Sequence, residues 1–247
     1  MFEDIFNLPR IVKGVGEVYP VLLKDYMNFM QVAWILKYNK KHTYTENEDV
    51  STLESILFKD LNCSELKGID GNDAVRYKAY CIKRLIEIVC KDTVEVDFQD
   101  KCFYIGKAKE RCVNEFNYDV FRKVVMEQNL IQEEKIYKSK LFAQWMQDAK
   151  ELNRKNGSNR EIDDIISTIR IYTGASYNEI AQQTYYQIMT DFCRIQKFKE
   201  YELTALFASQ HGTKNISIVD YTESLRLRKD QDDGLTMKIG EVLGKFK

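Results

Sequence analysis

The chain holds two prolines, Pro9 and Pro20, and from residue 21 to residue 247 there is none. Proline costs a helix interior about 3 kcal/mol, because it lacks the amide and clashes with the preceding turn. A stretch this long without it leaves helix open almost everywhere. The expected fold is therefore mainly α, bundle-like, with one or two small β-hairpins in the N-terminal half. An apolar content of 44% is enough to fill a core. Lys+Arg number 37 and Asp+Glu 38, a formal net charge of −1. That balance removes the long-range attraction on which nucleic-acid and membrane-surface binding usually rest, so neither partner is expected. No apolar run approaches the ~20 residues that span a bilayer. The opening "MFEDIFNLPR" is acidic and lacks the basic, then apolar, pattern of a leader, so a cytosolic product is expected.

Along the chain, "RIVKGVGEVYPVLL" sets β-branched residues on both sides of Gly14 and Gly16, the pattern of a hairpin near 10–22. Leu23, Tyr26, Met27, Met30, Ala33, Trp34 and Lys37 then step by three and four, as one face of a helix does. Asn39 to Asp49 is polar and reads as loop. Ser51 with Glu54 opens a short helix as a capping box. Gly68 and Gly71 mark a turn, and Asn72 is placed to cap a helix to about Lys91, with Val75, Ala79, Ile82, Leu85, Ile86 and Val89 inward. The period then drops to two: "TVEVDF" and "KCFYIG" predict a second hairpin near 93–105, closed by Gly106. Asn117 stands at the N-cap of "YDVFRKVVMEQN", a further helix spans about Lys138 to Arg154, and Ser158 with Glu161 caps one running to Tyr172. Three regions follow: α+β over 1–112, all-α over 113–210, and a partner-dependent C-terminal tail over 211–247, whose last twenty or so residues, charged and glycine-containing, read as poorly anchored.

The segment "TGASYNEIAQQTYYQIM" (Thr173 to Met189) stops one helix and starts two more. Gly174 suits the left-handed residue that ends a helix. Ser176 with Glu179 and Thr184 with Gln187 are successive capping boxes, so a very short helix is wedged before a long one. The long helix runs about 23 residues, near 35 Å at 1.5 Å per residue. Its apolar positions Tyr185, Ile188, Met189, Phe192, Ile195, Phe198, Tyr201 and Ala205 drift around the axis and can serve two neighbours. They fit a core helix of an all-α lobe. Part of the stripe (Tyr185, Ile188, Phe192, Ile195 and Phe198) is also a candidate ridge for another protein. Arg122, with Gln128 and Asn129, is a candidate polar contact, although Asn129 equally suits a helix end.

Signs of chemistry are sparse. His42 and His211 are the two histidines, both in polar surroundings, which gives a Ser-His or Cys-His arrangement little to build on. No phosphate loop, dinucleotide fingerprint or nucleophile elbow occurs. Cys63, Cys81, Cys90, Cys102, Cys112 and Cys193 include no C-x-x-C pair and read as small hydrophobes. "DQDDG" places its glycine at the wrong position for a calcium loop. Glu95 with Asp97, or Asp163 with Asp164, could touch a divalent ion, but a solvated charged face accounts for both. "RIQKFKEY" mixes basic and aromatic residues as a single-strand binder would, yet surface cations beside core aromatics explain it as well. No catalytic residue, metal or cofactor is expected.

Two segments carry a family likeness: "NYDVFRKVVMEQNLI" (Asn117 to Ile131), and "IDDIISTIRIYTGASYNEIAQQTYYQIMTDFCRIQKFKEYE" (Ile162 to Glu202) beyond a helical linker. With the opening "PRIVKGVGEVYPVLLKDYMNFM", they resemble tail-morphogenesis proteins of tailed bacteriophages of low-GC Gram-positive hosts, the tail assembly chaperones and T4-type baseplate hub assembly chaperones. The resemblance rests on helix caps and apolar spacing. It implies a non-enzymatic assembly chaperone whose partners are phage tail, tape-measure or baseplate proteins, working in the host cytoplasm. A structural protein kept in the virion tail is the alternative, and a metal-dependent enzyme the third reading.

Overall fold

A computed structural model describes residues 2–43, 45, 48–61, 63–136, 144–145, 161–212, 217–225 and 227. The protein is mainly helical, with two small antiparallel sheets among the described residues, and it divides into two units, Met1–Tyr137 and Lys138–Lys247. The first unit thus extends past residue 112. The helix at Tyr118–Gln128, grouped by its pattern with the later helices, buries Tyr118, Phe121 and Val125 in the N-terminal core instead.

The N-terminal unit opens with a single turn, α1 (Phe2–Ile5), and the expected hairpin, β1 (Arg10–Val12) and β2 (Gly16–Val18). Gly14 has φ +81°, and a Cβ there would stand 3.1 Å from the Asn117 amide nitrogen, so the turn needs glycine both for conformation and for approach. α2 (Leu23–Ala33) runs into a 3-10 turn at Trp34–Lys37. The buried face of α2 is Phe29, Val32 and Ala33, whereas Met27, assigned inward by spacing, is exposed. α3 (Thr52–Phe58) begins at Ser51, whose hydroxyl accepts from the Glu54 amide at 3.1 Å. Its box is half made, since the Glu54 carboxylate reaches Lys101 at 2.6 Å.

α4 (Gly71–Cys90) is the hub of this unit, packed against α2, α3 and both sheets, an arrangement unlike a bundle. Ala79, Ile82, Leu85, Ile86 and Val89 are buried as their spacing requires, while Val75 is half-buried. Each fully buried aliphatic side chain of this kind contributes about 1.5–3 kcal/mol. The helix starts at Gly71, two residues earlier than a cap at Asn72 requires, after Asp70 in extended backbone. It ends at Lys91, in the left-handed region, with the ammonium 3.9 Å from the Tyr19 ring centre.

The second hairpin is a three-stranded sheet: β3 (Val94–Asp97), β4 (Cys102–Ile105) and β5 (Arg111–Val113), in that order. β5 was not foreseen. Three residues after a charged turn carry no alternation of their own, and β5 is made a strand by pairing with β4 and by the Cys112 amide donating to Gly14 O at 2.9 Å. α5 (Tyr118–Gln128) then closes the core. Asn117 stands at its N-cap without capping: its amide accepts from Asn114 N at 2.9 Å and donates to Cys112 O at 2.8 Å.

The C-terminal unit contains α6 (Ile162–Thr173), α7 (Tyr177–Ala181) and α8 (Tyr185–His211). Glu161 is the extended residue before α6, with no side-chain cap. The expected Ser158 cap and, apart from residues 144 and 145, the helix at Lys138 to Arg154 lie outside the described residues. So does the tail from residue 228 onward. Among the described residues, no helix is long and apolar enough to cross a membrane.

Candidate protein-docking face

The stop and restart at Thr173 to Met189 proceeds by local hydrogen bonds. Gly174, at φ +73°, ends α6, its amide returning to Arg170 O at 2.9 Å. The Ser176 hydroxyl accepts from Glu179 N while the Glu179 carboxylate accepts from Ser176 N at 2.7 Å. Thr184 and Gln187 repeat the exchange, with Thr184 N donating to Gln187 at 2.7 Å. Each box contributes about 1 kcal/mol. Together they turn the chain through α7 so that α8 packs on α6. The seam buries Ile165, Ile169, Ile180, Tyr186, Ile188 and Phe192.

Beside that seam lies a groove of about 620 Å³, lined by Asp164, Thr168 and Tyr172 of α6 and by Phe192, Ile195, Gln196, Lys199, Glu200 and Leu203 of α8. On the same side, at i, i+3 and i+4, α8 presents Leu203, Leu206 and Phe207, which are 57, 54 and 51% exposed. Around the groove, cations sit over rings: Lys199 Nζ is 5.2 Å from the Tyr172 ring centre and the Arg170 guanidinium 4.9 Å from that of Tyr177. Ile171 is exposed as well.

The other side of α8 is occupied. Residues 217–225 run back along it, with Val219 N donating to Thr204 Oγ1 at 3.3 Å. The Tyr221 ring meets those of Phe198 and Tyr201, centres 5.3 and 5.0 Å apart. Arg194 Nη1 donates to the carbonyls of Tyr221 and Glu223, and Lys197 pairs with Glu223 at 2.7 Å. This part of the tail is therefore anchored, by aromatic packing and charge-assisted bonds to its own helix. Of the basic residues of "RIQKFKEY", Arg194 and Lys197 are engaged there, while Lys199 pairs with Glu202 on the same helix at 2.6 Å.

The six residues singled out from sequence do not form one face. Ile188 is fully buried and Phe192 nearly so, although Phe192 also borders the groove. Tyr185 is half-buried, Ile195 lines the groove partly exposed, and Phe198 is 40% exposed with its ring against Tyr221. Arg122 belongs to the other unit, where it is buried and bonded to Leu36 O and Glu133. Its companions point inward too: Gln128 Nε2 donates to Val18 O at 3.1 Å and the Asn129 amide oxygen accepts from Val21 N at 3.0 Å. These three pin α5 to the N-terminal strands and turns. Leu203, Leu206 and Phe207 lie outside the residues that the spacing picks out, because spacing alone does not reveal which stripe of α8 its neighbours leave exposed.

The acidic pairs are individually engaged. Glu95 meets Lys109 at 2.6 Å, and the Asp97 carboxylate accepts from the amides of Gln99 and Asp100 at 2.9 and 3.2 Å. Asp163 and Asp164 lie in the first turn of α6, where the helix dipole favours them. Among the described residues, no group of three or more His, Cys, Asp or Glu side chains could hold a metal ion.

Asp191, partly buried on α8, has its carboxyl pushed up by desolvation. A raised folded-state value means that the ionised form destabilises the fold above that value, and that the cost disappears as pH falls through it. Asp191→Asn is therefore expected to raise the melting temperature at neutral pH. The gain should shrink on acidification and be absent below about pH 3.9, the ordinary aspartate value, where both side chains are neutral. Melting curves between pH 3 and 7 check this.

A family model described as the YomV second domain matches residues 153–226, which take in α6, α7, α8 and the returning segment. The SPbeta prophage-derived uncharacterized protein YomV of Bacillus subtilis (strain 168) is 26% identical over 247 residues, covering 96% of this chain and 94% of its own. No solved structure matches the chain. The protein is thus a distant homologue of a prophage protein over nearly its whole length.

Proposed function

We propose that the protein is a non-enzymatic bacteriophage assembly factor, a chaperone that covers an apolar helix on an unassembled tail, tape-measure or baseplate component and later releases it. The observation that carries this reading is the exposed face of Leu203, Leu206 and Phe207 beside the α6–α8 groove. Contiguous apolar surface of this sort marks protein contacts. The face lies in the segment matched by the YomV second domain, and similarity to a prophage-derived protein supports a phage setting. The likeness to tail and baseplate chaperones supplies the partner class.

The magnitudes suit a reversible grip. Covering three half-exposed side chains removes apolar surface at ~25 cal/mol per Å², about 1 kcal/mol for each. Micromolar affinity needs about 8 kcal/mol beyond the cost of association, so these three side chains would supply a minor part and the filled groove the rest. An amphipathic helix laid into the groove would provide such contact without chemistry.

The test combines two measurements. The full chain is mixed with individually produced tail, tape-measure and baseplate proteins of its phage, and purified virions are quantified by mass spectrometry. The expected result is capture of one free component and absence from virions. A fixed ratio in virions would instead support a retained structural protein, and capture of none would overturn the reading.

A further inference from the structure

The second sheet carries two cysteines on one face. In the β4–β5 register Tyr104 lies opposite Cys112, and Cys102 precedes Tyr104 by two positions. Strand period therefore puts Cys102, Tyr104 and Cys112 together, while Phe103, Ile105 and Val113 face the core. The two thiols are diagonal neighbours on that face, close enough for Cys112 to help push the Cys102 thiol up, and the Cys112 sulfur accepts from Asn114 Nδ2 at 3.4 Å. Cys112 is held from both ends, its amide on Gly14 O at 2.9 Å and its carbonyl under Asn117 Nδ2 at 2.8 Å. Cys102 is 9% exposed and Cys112 more open.

We propose that Cys102 and Cys112 are a redox-active dithiol, closing to a disulfide across β4 and β5 when the protein meets a low-molecular-mass disulfide such as oxidised glutathione. The steps balance. The more accessible Cys112 loses its proton to solvent and attacks one glutathione sulfur, forming a mixed disulfide and expelling one glutathione thiolate, which takes up a proton. Cys102 then loses its proton and attacks the Cys112 sulfur, expelling the second glutathione thiolate. Two protein thiols are oxidised and one glutathione disulfide is reduced to two thiols. Exposure assigns the first attack to Cys112, and because burial pushes the Cys102 thiol up to about 11, the closing step should speed up as pH rises. Diagonal neighbours on adjacent strands average about 7–8 Å apart, so closure tightens the sheet at this point and leaves a bond that dithiol reductants reopen readily. Through Gly14 and Asn117, the same bond would stiffen the first hairpin and the start of α5.

The folded full-length protein is incubated with oxidised glutathione, its remaining thiols are blocked with N-ethylmaleimide, and tryptic peptides are mapped by mass spectrometry. Lys107, Lys109 and Arg111 separate the two cysteines into different peptides. The expected product lacks the mass of two hydrogen atoms and joins the Cys102 and Cys112 peptides. Cys102→Ser, confirmed folded by circular dichroism, should stop at a glutathione adduct on Cys112, and folded Cys112→Ser should leave Cys102 free. A lasting adduct on wild-type Cys112, pairing among the other cysteines, or no reaction at all overturns the proposal.

Discussion

Replacing Arg122 by alanine is expected to destabilise the N-terminal unit by about 2–4 kcal/mol, the range for opening a buried hydrogen-bonded network and losing the packed arginine stem. Arg122 Nε donates to Leu36 O at 2.9 Å, and Nη2 reaches Glu133 at 2.7 Å. The same carboxylate oxygen takes a bond from Asn39 Nδ2 at 2.7 Å. One guanidinium therefore ties the 3-10 turn after α2 to the chain leaving α5. Removing it strands a buried carbonyl and frees residues 131–136, which the Glu134 amide also holds at Lys37 O, 2.8 Å away. Arg122→Met keeps the stem and should recover roughly half of the loss. Denaturant titration followed by circular dichroism and by hydrogen exchange of the α5 amides measures both.

The network also fixes the sign of an acid effect. Desolvation works to raise the Glu133 value, but the hydrogen bonds from Arg122 and Asn39 outweigh it and hold the carboxyl below the usual range. A lowered folded-state value contributes stability above the unfolded value, near pH 4.3, and that contribution is lost as pH falls through the folded one. Arg122→Ala should flatten this part of the pH profile. An unchanged profile would mean that Asn39 alone governs Glu133.

Leu203→Glu combined with Phe207→Glu is expected to weaken capture of the phage component at least a hundredfold, while melting temperature and helicity stay near wild type. Both side chains are more than half exposed in the free protein, so a carboxylate there remains solvated until a partner arrives. Docking would then bury the charge or forgo the contact, at several kcal/mol, and two decades of affinity need only ~2.7 kcal/mol. Ile188→Glu provides the contrast: that side chain is fully buried, and the substitution should unfold the C-terminal unit. Undiminished capture by the folded double variant would remove α8 from consideration as the contact.

What could be read from sequence followed the range of the interactions involved. The boxes at Ser176–Glu179 and Thr184–Gln187, the Gly174 stop and the hairpin turn at Gly14 are settled within four residues, and all four formed. β5 escaped notice because its partners, β4 and Gly14, lie elsewhere in the chain. The cap expected at Asn72 did not form, and α4 instead begins after Asp70, whose side chain makes no capping bond. The docking face illustrates the same limit. Spacing identified an apolar helix, but which stripe stays uncovered depends on where α6 packs and where Tyr221 lands. Neither is encoded in α8 itself, so Phe198 was chosen and Leu206 was not. Arg122, Gln128 and Asn129 look like surface polar residues in sequence. Their partners, Leu36, Val18 and Val21, lie roughly ninety to one hundred and ten positions away.

The returning segment meets α8 in reverse order: Val219 at Thr204, Tyr221 at Tyr201 and Phe198, Glu223 at Lys197 and Arg194. The long helix is thus braced from behind, along its middle, before anything approaches Leu206 and Phe207 from the front. A visitor would find a stiff rail with little left to organise. Its arrival should proceed in one kinetic phase at a rate proportional to its concentration, without the lag of a helix that must first be made.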